Sequence, residues 1–171
     1  DIAFGPKNMG LSKEEVKERV LKAADFTGLD RSLLNKSPFD LSGGQKRRCA
    51  IAGVMAMFPE VLILDEPTAG LDPKGRKELM EMIENYRKST GATVMIVSHS
   101  MDDMARNADK ILVLNKGELA MEGNVKEVFS KADKLIEMGL SIPLATSVMT
   151  SLGKTIKELP ADVFTVEAAA D

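Results

Sequence analysis

Two continuous apolar runs, separated by an amphipathic helical pattern, constrain the fold of this chain more than any other feature. The runs VLILD at 61–65 and TVMIVS at 93–98 are short and rich in Val, Ile and Leu, which is typical of buried parallel strands. Between them, residues 74–89 carry apolar side chains at helical spacing, and a helical crossover of this kind joins parallel strands. The sequence therefore predicts an α/β fold with a mainly parallel sheet.

The remaining segments predict a helical region before this unit and a small extension after it. Helices are expected at 13–27, 43–57, 101–107, 124–138 and 143–153, two strands around an Asn115-Lys116-Gly117 turn, and a strand at 163–166, whereas 1–11 and 29–41 have no regular pattern. We therefore expect a helical subdomain at 1–57, an α/β core at 58–125 and a C-terminal extension at 126–171.

The composition argues against several classes of function. The 171 residues have a net charge of −3, only 4% are aromatic and none is Trp, so neither a basic surface for nucleic acid nor a base-stacking platform is expected. No apolar run reaches the length of about 18 residues that a membrane span needs. The single cysteine, Cys49, lies in an apolar helical run and is expected to be a buried, unreactive thiol.

Polar residues follow both apolar runs. Asp65 ends the first run and Glu66 follows it, and His99, the only histidine, follows the second run. The carboxyl ends of parallel strands meet at one edge of a sheet, which is where α/β folds bind ligands. Asp65 could hold Mg²⁺ through water, Glu66 could orient or deprotonate an attacking water, and His99 could contact a phosphate. Taken singly, the acids are equally compatible with the start of a polar loop, and the histidine with a structural role.

The segment LSGGQ has the pattern of an anion-binding helix start. Ser42 can cap the helix, and Gly43 and Gly44 lack a Cβ, so that a phosphate can approach their backbone N–H groups closely. Gln45 can donate a further hydrogen bond. The plainer alternative is a flexible turn that only caps a helix. The basic residues at 46–48 are expected to lie on a solvated helix face.

The order of four motifs identifies a family resemblance. LSGGQ at 41–45, VLILDEPT at 61–68, AGLD at 69–72 and Ser-His at 98–99 follow one another along the chain. The set resembles the nucleotide-binding subunit of ATP-binding cassette (ABC) transporters, over roughly residues 1–125. The longer runs around the motifs look like the ATPase of energy-coupling factor (ECF) vitamin and metal uptake systems, and the cobalt/nickel-type branch is similar. The resemblance implies a partial P-loop NTPase fold.

The resemblance also implies a role for each matching residue. Residues 42–45 would be the signature loop, which contacts the γ-phosphate of an ATP bound mainly by a partner subunit. Asp65, in the Walker B motif, would serve Mg²⁺, and Glu66 would be the catalytic carboxylate. Asp72 would belong to the D-loop that crosses the dimer interface, and His99 would be the switch histidine of the H-loop.

Cofactors, partners and location follow from the same resemblance. ATP and Mg²⁺ would be bound, and the partners would be a second ATPase subunit, identical or not, and an integral membrane transporter subunit. The assembly would lie at the cytoplasmic face of the cell membrane and power the uptake of a vitamin or a transition metal ion such as cobalt. No nucleic acid partner is expected.

One motif of the family is missing from the sequence. The lysine-bearing phosphate loop has the form G-x-x-x-x-G-K-[ST], and at the only Gly-Lys-Thr, Gly153-Lys154-Thr155, its first glycine is replaced by Val148. The resemblance thus corresponds to about the C-terminal 60% of such a subunit. We expect this polypeptide alone to bind ATP weakly or not at all, to lack meaningful ATPase activity, and to have a rearranged or gapped sheet with exposed strand edges.

Two other interpretations remain open at the level of sequence. The first is a soluble ABC ATPase that acts in DNA repair or translation, although the long coiled-coil insertions or fused second cassettes usual in that class are not visible. The second is a non-enzymatic interaction fragment, which retains the signature helix and a surface for the membrane partner but not the chemistry of ATP.

Overall fold

A computed structural model describes residues 1–153, 163–166 and 168. Its elements are α1 (Phe4–Asn8), α2 (Lys13–Phe26), α3 (Gly43–Met55), β1 (Val61–Asp65), α4 (Pro73–Thr90), β2 (Thr93–Val97), α5 (Met101–Asn107), β3 (Ile111–Asn115), β4 (Glu118–Gly123), α6 (Val125–Phe129), α7 (Ala132–Glu137) and α8 (Leu144–Gly153), with 3₁₀ turns at Arg31–Leu33 and Pro38–Asp40. The predicted α/β class is confirmed. No helix within the described ranges is both long and apolar enough to cross a lipid bilayer.

The chain divides into two compact units, Asp1–Val97 and Ser98–Asp171. The first unit contains the parallel pair β1–β2, and the second contains the antiparallel pair β3–β4. Each unit therefore has its own two-stranded sheet in the described part of the chain. The three-part division at residues 57 and 125 stays a prediction.

The first unit is built on the strand–helix–strand pattern of β1, α4 and β2. The strands pair in parallel from Val61 opposite Thr93 to Asp65 opposite Val97. Burial on both faces of the strands, which the apolar runs predicted, is wrong for β1 and for β2, where Met95 and Val97 are 44% and 50% exposed. Leu62 is 1% exposed, whereas Val61 and Ile63 on the other face are 53% and 61% exposed. The reason is that the other elements cover only one face of this small, two-stranded sheet, so the side chains on its second face stay exposed.

The N-terminal residues 1–11 are helical in part, contrary to the prediction of an irregular segment. Helix α1 spans Phe4–Asn8 and includes Pro6. A proline is tolerated there because the first four N–H groups of a helix have no acceptor within the helix. Helix α2 begins at Lys13, as predicted, and its start is a capping box in which Ser12 and Glu15 accept each other's backbone N–H groups.

One apolar cluster joins the helices of the first unit to the strands. Ala23, Ala24 and Ala52 are fully buried, and these small side chains allow α2 and α3 to approach closely. Tyr86 of α4 is also fully buried and packs edge-on against Phe26, with ring centroids 5.2 Å apart. Cys49 is only half-buried against this cluster, so the prediction of a buried thiol is wrong.

The second unit contains the predicted hairpin. Lys116 and Gly117 both have positive φ, 51° and 83°, as the two central residues of a tight hairpin turn require. Strands β3 and β4 pair antiparallel with an irregularity between Val113 and Leu114.

The helical segment predicted at 124–138 is two helices, α6 and α7, because Lys131 between them leaves helical geometry at ψ 42°. Residues 163–166 do not form the predicted strand. Instead, the Val163 carbonyl accepts a hydrogen bond from the Thr146 hydroxyl at 2.8 Å. In the Gly-Lys-Thr triplet, Gly153 ends α8, while Lys154 and Thr155 lie outside the described residues.

Candidate functional site

The start of α3 is a capped and open helix end. Ser42 is the N-cap, its hydroxyl accepts the Gln45 N–H at 3.3 Å, and the Gln45 carboxamide oxygen accepts the Ser42 N–H at 2.9 Å. The capping predicted for Ser42 is therefore confirmed, and the Gln45 side chain keeps its amino group as a hydrogen-bond donor.

The two glycines after Ser42 have no role in the packing of the described chain. Gly43 and Gly44 are exposed, neither has a positive φ, and a Cβ built on either would meet no atom within 4 Å. Neither backbone conformation nor internal crowding therefore requires glycine here. The open space at Gly43 and Gly44 allows a molecule from outside to approach the backbone at a helix end, where the first N–H groups have no acceptor within the helix.

The two acids lie at the carboxyl end of β1. Asp65 is the last residue of the strand and is exposed on the same face as Ile63. Glu66 is half-buried and has a φ of 45°, in the left-handed region that residues with a side chain rarely adopt. Its N–H donates to the Val97 carbonyl at 2.8 Å, which extends the pairing with β2 by one hydrogen bond.

The segment 66–72, called here the Glu66 loop, is closed by local hydrogen bonds. The Ala69 N–H donates to the Glu66 carbonyl, and the Leu71 N–H donates to the Thr68 carbonyl, both at 3.2 Å. At its end, the Asp72 carboxylate accepts the Gly75 N–H at 2.9 Å and caps α4. The loop therefore has one defined path between β1 and α4.

Arginines of α3 and α4 also fix the Glu66 loop, and the sequence prediction missed both. Arg47 donates to the carbonyls of Ala69 at 2.8 Å, Glu66 at 3.3 Å and Pro67. Arg76 donates to the Leu71 carbonyl at 3.1 Å.

The solvated helix face expected for residues 46–48 is thus wrong for two of the three. Arg48 donates to the Thr27 carbonyl at 2.8 Å and to Glu78 at 2.7 Å, whereas Lys46 is exposed. Arginine at two successive positions of a capped helix is the only signal that the sequence offers, since the acceptors on the Glu66 loop are backbone atoms.

His99 belongs to the second unit. It follows the end of β2 by two residues and is exposed. The turn that carries it is ordered by Ser100, whose N–H donates to the Ser98 hydroxyl at 3.1 Å and whose own hydroxyl caps α5. The structure therefore presents the imidazole on an ordered turn at the start of a helix.

The residues present fit Mg²⁺ in only one mode of binding. Within the described ranges, no group of three or more His, Cys, Asp or Glu side chains could hold a metal ion between them. Mg²⁺ is commonly held by one or two carboxylates together with water and substrate phosphates. Asp65, exposed at a strand end beside Glu66, fits that mode and not a cage made of protein ligands alone.

Comparisons with known proteins all point to one group. The family model described as ABC transporter matches residues 6–69. The Energy-coupling factor transporter ATP-binding protein EcfA2 of Caldanaerobacter subterraneus subsp. tengcongensis is 52% identical over 171 residues, which is 100% of this chain and 60% of that protein. The chain thus spans about 60% of the length of the curated relatives it matches.

Solved structures agree in fold. cbiO1 from Clostridium perfringens, described as part of the ABC transporter complex cbiONQ, is 38% identical with a TM-score of 0.70 over 92% of this chain and 59% of that chain. The cassette MJ0796, solved as a dimer in a post-hydrolysis state bound to ADP and Pi, is 33% identical with a TM-score of 0.57 over 67% of this chain and 49% of that chain.

Proposed function

Because the chain belongs to the ABC transporter ATPases, we propose that it supplies the signature helix and the catalytic carboxylate of an ATPase that powers uptake through an ECF-type transporter. The observation that carries this proposal is the open start of α3. Gly43 and Gly44 have neither a conformational nor a packing reason to be glycine, and both are exposed in the first turn of a capped helix. A phosphate of bound ATP is the anion that this arrangement suits.

The signature loop acts on ATP held mainly by a second subunit. Ser42 retains its hydroxyl hydrogen and Gln45 retains its amino group as donors, since only their oxygen atoms are used in the capping box. With the helix dipole, these groups favour the charge that develops on the γ-phosphate oxygens during transfer. The similarity to a cassette solved as a dimer with ADP and Pi supports such a pairing of subunits.

Glu66 is the general base of the proposed reaction. Its carboxylate orients a water molecule for attack on the γ-phosphorus and accepts a proton from that water as the bond to the leaving ADP breaks. Asp65 would hold Mg²⁺ through water, and the bound ion would supply positive charge to neutralise the phosphates. His99 donates a hydrogen bond to the γ-phosphate, and Asp72 contacts the second subunit through the D-loop.

We propose that the second subunit is another ATPase of this family and that the pair docks on an integral membrane subunit at the cytoplasmic face. The identity of 52% to an ECF ATP-binding protein supports this, as does the similarity to cbiO1, described as part of a transporter complex. The cargo is then a vitamin or a transition metal ion such as cobalt, and its identity is set by another polypeptide.

The decisive experiment measures ATP hydrolysis by a polypeptide of the relatives' full length that carries this sequence. Glu66→Gln should lower kcat by about 10²–10⁴-fold, because the amide cannot accept the proton. Glu60→Gln is the matched control: Glu60 is exposed just before β1, and the same substitution should leave kcat unchanged. Equal activity of wild type and Glu66→Gln would refute the proposed role of the carboxylate.

Two further comparisons test the proposed setting. The 171-residue chain by itself should show no measurable hydrolysis, since its sequence has no lysine-bearing phosphate loop. The full-length polypeptide should co-purify with an integral membrane protein. Co-purification with ribosomes or nucleic acid alone would instead support the soluble ABC ATPase.

A further inference from the structure

The side chain of Arg47 connects two elements that the proposed function treats separately. Arg47 lies in α3, two residues after the signature loop, and its guanidinium donates to three carbonyls of the Glu66 loop. All of these groups lie in the first unit. One half-buried side chain thus ties the helix that presents the signature loop to the segment that presents Glu66.

The contact acts at the strained point of the Glu66 loop. A residue with a side chain loses about 1–2 kcal/mol in the left-handed region, so Glu66 keeps its φ of 45° only if its surroundings hold it there. Its N–H is held by the Val97 carbonyl, and its carbonyl is held by Arg47 and by the Ala69 N–H. The peptide groups on both sides of the Glu66 Cα are therefore anchored, and with them the direction in which the carboxylate leaves the backbone.

An arginine is chemically suited to hold several carbonyls at once, and the two basic residues beside Arg47 do not share this role. A guanidinium carries five N–H donors in one plane and can serve several carbonyls at once, whereas a lysine ammonium is a single compact charge on a flexible stem. Arg48 uses its donors on Thr27 and Glu78, and Lys46 is exposed. The Glu66 loop thus depends on one particular basic residue of the three in sequence.

We infer that Arg47 is a positioning residue, which holds the Glu66 carboxylate in its catalytic orientation and keeps it in register with the signature helix. This inference rests on the proposed function for the catalytic part, but the anchoring of the Glu66 loop can be measured without it. Arg47 does not touch the reacting atoms and acts only through the backbone of residues 66–69.

The test compares Arg47→Met, Arg47→Lys and Lys46→Met in the full-length polypeptide. Met keeps much of the aliphatic stem and removes the donors, so Arg47→Met should lower kcat for ATP by about ten- to a hundredfold, as a small misplacement of a catalytic group does. KM for ATP should change by less than about twofold, because the nucleotide-binding groups are untouched. Arg47→Lys should recover part of kcat, and Lys46→Met, which removes the same charge one residue earlier, should match wild type.

Amide hydrogen exchange gives the readout that does not depend on activity. In Arg47→Met, exchange at the Ala69 and Leu71 amides should be faster by about tenfold, which corresponds to the loss of one good hydrogen bond. Exchange in α2 should not change. A general loss of structure would instead accelerate exchange in α2 as well.

Each outcome decides a separate point. Unchanged exchange in the Glu66 loop refutes the anchoring by Arg47. Faster exchange with unchanged kcat, in a protein that Glu66→Gln inactivates, refutes its importance for catalysis. Equal losses in Arg47→Met and Arg47→Lys, with faster exchange throughout, indicate a merely structural residue and overturn the inference. Absence of ATPase activity in the wild type refutes the proposed function and with it the catalytic part of the inference.

Discussion

The left-handed backbone of Glu66 gives a quantitative prediction about stability. A residue with a Cβ loses about 1–2 kcal/mol at a φ such as 45°, and glycine loses almost nothing. At an ordinary position the order is reversed, because the more flexible unfolded chain makes glycine less stable than alanine by about 0.5–1 kcal/mol. Combining the midpoints of the two terms, Glu66→Gly should be more stable than Glu66→Ala by about 0.75 kcal/mol.

The comparison of these two variants isolates the backbone. Both lack the carboxylate, so any contact made by the Glu66 side chain is lost equally from each. Thermal unfolding followed by circular dichroism should place the melting temperature of Glu66→Gly about 1–4 °C above that of Glu66→Ala for a chain of this size. The matched control is the pair Glu60→Gly and Glu60→Ala, at an exposed residue without a positive φ, where Ala should be the more stable variant.

The reasoning fails if Glu66→Ala proves as stable as Glu66→Gly while the control pair behaves as expected. In that case the left-handed conformation carries no strain, and the Glu66 loop needs no anchor to maintain it. Both Glu66 variants should be inactive whatever their stability, because neither can accept a proton from water.

Two other predictions follow from capping and charge. Ser42→Ala and Ser12→Ala each remove a capping box, so each should lower the free energy of unfolding by about 1 kcal/mol. Only Ser42→Ala should also reduce ATP hydrolysis. Equal effects of the two substitutions on hydrolysis would contradict the signature role of Ser42. The hydrogen bond from Arg87 lowers the pKa of Glu84 from 4.5 to about 2, so the stability that this carboxylate adds is present above pH 4.5 and is lost as the pH falls towards 2. The Glu84 side chain is 39% exposed, which limits the effect to less than about 1 kcal/mol. In urea titrations, the free energies of unfolding of wild type and Glu84→Gln should converge as the pH falls from 4.5 to 2. A constant difference between them would contradict the ion pair.

The parts of the fold that the sequence predicted correctly depend on local signals. Strand β1 ends where an apolar run meets two acids, and helix α3 begins where Ser42 is followed three residues later by Gln45. Helix α4 begins after Asp72 at Pro73, and Gly91 takes up the left-handed conformation that terminates it. Each signal lies within a few residues of the boundary that it determines, so no knowledge of the rest of the chain was needed.

The parts that the sequence did not predict depend on distant or absent neighbours. The carbonyls that accept from Arg47 lie 19 to 22 residues away and belong to the backbone, so no residue type reveals them. The exposure of Val61 and Ile63 depends on what covers the second face of a two-stranded sheet, which an apolar run cannot specify. The left-handed φ of Glu66 is equally hidden, because glycine or asparagine would normally signal it.

Local stability would favour other residue types at the start of α3 and at position 66 than those the chain has there. Alanine would suit the first turn of α3 better than Gly43 and Gly44, by up to about 1 kcal/mol each, because the backbone there is helical and a Cβ would meet nothing. Glycine would suit position 66, where a side chain is strained by about 1–2 kcal/mol. Both departures are explained if a phosphate must reach the backbone at the first place and a carboxylate must be presented at the second. Arg47 joins the two places, so the strain at Glu66 is held by the same helix whose first turn carries the two exposed glycines.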